Sequence, residues 1–144
     1  MPSPRVSVCI DVFNYADFLP QAIESALAQT FRDLEIIIVD DCSTDSSYEV
    51  ACRYAQQDSR IRAHRNSVNL GMVKNRNACL KLATGEYVKF IHADDYLCSP
   101  DAVSRMVARL DANPAASLVA CAMKFVPATP GAKDRSPSHF FATR

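Results

Sequence analysis

Two apolar, β-branched runs in this chain stop abruptly at paired acids. LEIIIV ends at Asp40-Asp41, and YVKFI passes through His92-Ala93 into Asp94-Asp95. Continuous apolar runs of this length, without alternation, suit strands buried on both faces. Arg5–Val12 (RVSVCIDV) is a third such run, Ile61–His64 a short fourth, and Ser117–Val126 a last candidate strand. The intervening segments have helical spacing. One helix is expected to be capped by Asp17, with Pro20 in its first turn and Leu19, Ile23 and Leu27 on one face. Ser46 and Glu49 have capping-box spacing and open a helix to about Gln56. Met72–Leu82 reads as a third helix with Gly85 just beyond it, and Ser99-Pro100 as N-cap and first residue of a fourth, running to about Ala112. Strand–helix alternation of this kind implies right-handed crossovers, so the expected fold class is α/β, a mainly parallel sheet flanked by helices.

Composition removes several alternatives. Sixteen Lys and Arg balance 16 Asp and Glu, which leaves no basic footprint for nucleic acid. No apolar run approaches the roughly 20 residues that cross a bilayer. Asp11, Asn14 and Asp17 interrupt what would otherwise resemble a signal peptide, so a cytoplasmic protein is expected. The six cysteines show no CxxC spacing, which argues against structural zinc. They are expected to be reduced, with Cys9 and Cys121 as small core side chains. The three glycines, Gly71, Gly85 and Gly131, can form neither a GxGxxG fingerprint nor a Walker P-loop. After Val126, Pro127, Pro130, Gly131 and Pro137 mark a loop or tail, so the expected division is a domain over 1–126 and a tail over 127–144.

In a parallel sheet, ligands bind beyond the carboxyl ends of the strands. The two aspartate pairs are therefore expected to meet at one edge. One pair alone is explained by capping of the following helix; two at strand ends point to a site. Clustered carboxylates repel one another, and a hard divalent cation with oxygen ligands, Mg²⁺ or Mn²⁺, is the usual relief.

Beyond these residue-by-residue readings, the segment RVSVCIDVFNYADFLPQAIESALAQTFRDLEIIIVDDCSTDSS resembles the opening of the family 2 glycosyltransferases, which have the GT-A fold. NLGMVKNRNACLKLATGEYVKFIHADDYL, with its Asn-Gly-Arg positions and the aspartates after the fourth strand, agrees with the same family in the same order. The resemblance spans about residues 5 to 112. It implies a domain that binds a nucleotide-diphosphate sugar, UDP-sugar by default, with Mn²⁺ or Mg²⁺. By the same resemblance, Asp11, Phe13 and Asn14 lie where relatives bind the base, with Phe13 either stacking on it or serving as a core aromatic. Asp41 matches the aspartate that accepts a base N–H. Asn69, Gly71, Lys74 and Arg76 match the segment closing over the nucleotide and its phosphates. Asp94 matches a residue near ribose and metal, and Asp95 the direct metal ligand of a DxD-type motif; Asp40 is read as structural.

Two positions depart from the family's pattern. Asp11-Val12 stands where relatives usually carry Pro-Thr or a similar pair, and His92 replaces the first aspartate of the D-x-D-D stretch. His92 is read as an ordinary strand-end residue. The implied activity is inverting, metal-dependent transfer of a sugar to a hydroxyl acceptor, whether glycan, lipid-linked or other. A donor-binding module without turnover is the alternative, and a nucleotidyltransferase stands behind both. The family pattern puts the general base beyond residue 144, so a truncated donor-binding half is expected. Exposed apolar surface would then favour self-association, and a lipid-linked acceptor would add peripheral contact with the inner membrane surface.

Overall fold

The computed structural model describes residues 3–123. Four strands, β1 (Val6–Val12), β2 (Leu34–Asp40), β3 (Ile61–Arg65) and β4 (Tyr87–His92), alternate with α1 (Leu19–Leu27), α2 (Ser47–Gln57), α3 (Met72–Leu82) and α4 (Ala102–Asp111). All strand pairs are parallel and the sheet order is β3-β2-β1-β4. The expected α/β class is what the chain adopts. By contact density the chain divides at Val103 into Met1–Val103, which holds the whole sheet and α1 to α3, and Ser104–Arg144. The expected boundary at 126 and the tail over 127–144 lie outside the described residues. No helix among the described residues is long and apolar enough to cross a membrane.

Every residue of β1 and β2 is buried, as their unbroken apolar sequences require of central parallel strands. Cys9, Ile37 and Val39 face α3, where Cys79 completes a buried cluster with Ala78, Leu82, Ala83 and Phe90 packed on it. Side chains alternate along strands, so Val8, Ile10, Ile36 and Ile38 face the opposite layer. There α1 and α2 lie against each other and the sheet, with Leu19, Ala22, Ile23 and Ala26 wholly buried.

Four local expectations are corrected. The α1 helix begins with Phe18 at its N-cap and no side-chain cap. Asp17 is not needed there because Tyr15 O already accepts Phe18 N and Leu19 N. Ser46 is the N-cap of α2 but makes no capping bond. Asp45 does this instead, accepting Ser47 N at 2.9 Å and Ser47 Oγ at 2.6 Å, and an ionised acceptor is the stronger one. The fourth helix begins at Ala102 rather than Pro100. Thr30 N donates to Pro100 O at 2.7 Å and Gln29 Nε2 to Ser99 O at 2.9 Å, holding these residues in a turn. Finally, residues 117–123 form no strand. Leu118 and Met123 are exposed there and so is Cys121; without a paired neighbour and a covering layer, β propensity alone does not hold a strand. The remainder of that expected strand, 124–126, lies outside the described residues.

At the amino-terminal end of the sheet a buried carboxylate ties three elements together. Glu35 accepts Ser7 Oγ at 2.6 Å, Thr84 N at 2.8 Å and Arg62 Nη2 at 2.6 Å. Burial alone would raise its pKa, but the Ser7 and Thr84 hydrogen bonds and the Arg62 charge outweigh it and leave Glu35 below the ordinary carboxylate value. Ser7 Oγ also accepts Gly85 N at 2.9 Å, and a Cβ on Gly85 would lie 2.7 Å from Ser7 N. Gly85 is thus needed for close approach rather than as the expected helix cap. Glu35→Ala should lower stability by about 2 kcal/mol in urea unfolding, because it removes the acceptor of the buried Ser7 hydroxyl and of the Thr84 amide. The group's pKa is depressed on folding, so its contribution is complete above pH 4.5 and is lost as pH falls through the native value. The wild-type advantage over Glu35→Ala should therefore shrink below that pH. Gly85→Ala should cost about 1–3 kcal/mol by overpacking, read in the same experiment.

Candidate functional site

Helices α1 and α2 cover one face of the sheet and α3 the other. The chain changes face after β3 and returns through β4 on the far side of β1. Strand order therefore reverses between β1 and β4, and this switch point opens a crevice at the carboxyl edge. Asp11 on β1 and His92 on β4 are register partners there. The loops after β1, β2 and β4 and the start of α3 all converge on the same edge.

The loop after β2 is built around two buried aspartates with different tasks. Asp40 is fully buried, accepts Ser43 N at 3.0 Å and pairs with Arg65 Nε at 3.3 Å. It shapes the turn that carries Asp41, as a structural residue would. Arg65 also donates to Ser43 O at 2.7 Å and lies over the Tyr48 ring. Asp41 is 2% exposed. Its Oδ1 accepts Asn66 Nδ2 at 2.8 Å and Leu70 N at 2.9 Å, and its Oδ2 accepts Gly71 N at 2.8 Å. Asp41 therefore fastens the β3–α3 loop and sits at the amino end of α3, where a helix dipole favours negative charge. A carboxylate oxygen takes two hydrogen bonds, so Oδ2 retains one acceptor position for a ligand N–H.

Gly71, at φ +81°, turns the chain into α3. The first turn of α3 has no acidic residue and contains Lys74, which is exposed. Asn75, buried in a helix interior where asparagine is disfavoured, donates to Val39 O at 3.0 Å and accepts Asn66 Nδ2 at 2.9 Å. Asn66 and Asn75 together peg α3 to the end of β2. Neither is among the residues expected from the sequence, although an asparagine in mid-helix is a signal that could have found Asn75.

Arg76, the next residue, reaches over the sheet edge. Its Nε lies 3.5 Å from Asp11 Oδ2, and its Nη2 lies 3.1 Å from His92 Nδ1 and also contacts Nε2. His92 Nδ1 is 3.0 Å from Asp11 Oδ1. Buried Asp11 Oδ1 and Arg76 Nε nevertheless lack a well-aligned hydrogen bond. This cluster answers the question raised by an acid at position 11: its charge is matched by Arg76. Arg76 is accordingly not on a solvated helix face, and His92 is not an isolated strand-end residue.

The β1–α1 loop is laced to the β2–α2 loop. Asn14, at φ 58°, accepts Thr44 N at 2.8 Å through Oδ1, and its own N donates to Ser43 Oγ at 2.9 Å. Tyr15 N donates to Ser47 Oγ and Ala16 N to Asp45 Oδ2, each at 3.0 Å. Phe13 emerges beside this clasp 42% exposed, so it is not a core aromatic.

Asp94 and Asp95 lie in an exposed turn directly after β4, with Asp95 N donating to His92 O at 3.0 Å. The chain beyond them is pinned by wholly buried Gln29, which bonds Ser99 O and, through Oε1, Val103 N at 3.0 Å. Ser25 Oγ accepts Leu97 N at 3.0 Å. The two acids are thus suspended between a strand end and an anchor supplied by α1. No group of three or more His, Cys, Asp or Glu among the described residues is arranged as a metal cage. Two adjacent hard-oxygen donors still fit Mg²⁺ or Mn²⁺, which commonly take one or two carboxylates and complete their shell with phosphate and water.

A doubly wound parallel domain with acids and bases gathered at its switch point belongs to the class of nucleotide-binding α/β proteins. Its sequence matches the model of glycosyl transferase family 2 over residues 7–142, and the chain belongs to that family. It is 41% identical over 96 residues to an uncharacterized glycosyltransferase, EpsJ, of Bacillus subtilis (strain 168), covering 67% of this chain and 28% of that one. It is also 41% identical over 91 residues to the UDP-Glc:alpha-D-GlcNAc-diphosphoundecaprenol beta-1,3-glucosyltransferase WfaP of Escherichia coli, covering 63% and 36%. Among solved structures, S. aureus TarS in complex with UDP superposes with a TM-score of 0.70 at 28% identity, covering 76% of this chain and 33% of that one. The mannosyltransferase PcManGT from Pyrobaculum calidifontis, in complex with GDP-Man and Mn²⁺, gives 0.69 at 25% identity, covering 76% and 33%. The chain thus spans about a third of the length of these relatives.

The Asn14 clasp separates two physical effects. Asn14→Ala should destabilise the domain by about 1–2 kcal/mol, losing the acceptor and straining a left-handed backbone. Asn14→Gly should cost less, and Asn14→Asp, which keeps the acceptor, least. Hydrogen exchange at the Thr44 amide should accelerate in both the Ala and Gly variants.

Proposed function

We propose that this domain binds the nucleotide-diphosphate sugar for a glycosyl transfer, with a UDP-sugar as the donor. The observation that carries the reading is the gathering at the carboxyl edge of the sheet of Asp41, the basic start of α3, exposed Phe13 and the Asp94-Asp95 turn. Relatives that bind UDP or carry a UDP-glucose name support uracil as the base.

In this reading Phe13 stacks on the base and the free acceptor position of Asp41 takes a base N–H. Lys74, in the first turn of α3, faces the diphosphate, because helix amino ends and lysines both attract anions. Arg76 adds planar N–H donors beside it. Asp94 and Asp95 hold Mn²⁺ or Mg²⁺, with Asp95 as the direct ligand; when bound, such an ion offsets the charge that grows on the departing diphosphate. The transfer inverts the anomeric centre, the acceptor being a hydroxyl of a glycan or lipid-linked sugar. WfaP is named for a diphosphoundecaprenol-linked one. A lipid-linked acceptor would bring the cytoplasmic protein to the inner membrane surface.

Calorimetric titration with UDP, with and without Mn²⁺, tests the donor site. Binding should strengthen with Mn²⁺, and Asp95→Ala should remove that gain, weakening UDP at saturating metal by about tenfold or more. Equal, metal-independent affinity in both proteins would overturn the metal assignment, and no binding by the folded wild type would overturn the donor site itself.

A further inference from the structure

We propose that Asp11 is a positioning residue for ligand binding that acts through Arg76, drawing its guanidinium over the β1–β4 switch point and holding it there for the nucleotide diphosphate. The inference rests on the donor-site reading and adds to it a role for the residue that departs most from the family's pattern. Asp11 is 8% exposed, with one oxygen toward Arg76 Nε at 3.5 Å and the other toward His92 Nδ1 at 3.0 Å. Both oxygens of Asp11 are thus directed at neighbouring side chains. Arg76, by contrast, is 35% exposed along its side chain. Its five N–H donors exceed what Asp11 and His92 can use. The buried Asp11 Oδ1 and Arg76 Nε lack well-aligned hydrogen bonds, so the pair is held by charge and leaves donors of Arg76 uncommitted.

Two effects of the carboxylate oppose each other. As a charge, Asp11 repels a diphosphate and cancels part of the attraction of Arg76. As an anchor, it restrains a long side chain whose rotamer freedom would otherwise be lost when ligand binds. The burial of Asp11 places it behind Arg76 rather than beside the ligand, so anchoring is the larger effect. The sign of one substitution decides between them: Asp11→Asn removes a negative charge, and by Coulomb's law alone it should tighten UDP binding.

The test is UDP titration in Mn²⁺ of the wild type, Asp11→Asn, Arg76→Ala and the double variant, each checked for fold by circular dichroism and thermal melting. Anchoring predicts that Asp11→Asn binds UDP roughly tenfold more weakly despite the lost negative charge. It also predicts that the double variant binds no more weakly than Arg76→Ala, because both changes act through one side chain. The Arg76 Nε–H resonance should shift toward the position of a free arginine in Asp11→Asn. UDP binding that is unchanged or tighter in Asp11→Asn, or losses that add in the double variant, would overturn the proposal while leaving the donor site standing. A wild type that binds no UDP overturns both. Should Asp11→Asn fail to fold, Arg76→Lys carries the test. It keeps the charge without the planar fork and should lose about tenfold, and an unchanged affinity there would refute the anchor.

Discussion

The central position of β1 is the constraint on which the rest of the structure depends. It pairs with β2 on one side and β4 on the other, so it must be apolar on both faces, and every residue in it is buried. Right-handed crossovers place α1 and α2 on one face. Reaching the far side of β1 then requires α3 on the other. That change of face separates the loops after β1 and β4, and the crevice between them is a consequence of topology.

Around this frame, buried carboxylates organise the loops, and each is compensated differently. Asp40 meets an arginine and a backbone amide, Asp41 two amides and an asparagine, and Glu35 a hydroxyl, an amide and an arginine. Burying an ionised group without such partners is costly, so each aspartate recruits a specific loop into one conformation. The precision of the site comes from this demand. Asp41 orders the β3–α3 turn as firmly as any ligand could, and the Asn14 clasp orders the turn that carries Phe13. Asp11 differs in its partners, meeting two side chains, Arg76 and His92, and no loop amide among the bonds described.

Strands and helices were legible because their signals are local. The continuous runs of β1 and β2 admit little besides central parallel strands, and Met72–Leu82 is helical over the expected span. Capping was less legible. Asp17, Ser46 and Ser99-Pro100 all match local rules, yet Tyr15 O, Asp45 and the Gln29–Thr30 anchor satisfy those ends by other means. A cap is a competition among acceptors, and the sequence shows the candidates without the distances. The stretch after Ser117 failed for a related reason: its composition favours a strand, but a strand needs a partner.

For the site, the residue types and their order along the chain carried the family and pointed to Asp41, Lys74, Arg76, Asp94 and Asp95, because strand ends and helix starts are local features. The sequence by itself therefore determined the fold class and the family, and it singled out the carboxyl edge of the sheet as the candidate site. Only the tertiary structure decided how those residues divide the work: that Asp11 faces Arg76 across 65 positions of sequence, that Asn66 and Asn75 fasten α3 to β2, and that Gln29 anchors the chain beyond Asp94-Asp95. Such pairings depend on distances between elements far apart in the chain. Charge and burial decide them only after the sheet has brought those elements together.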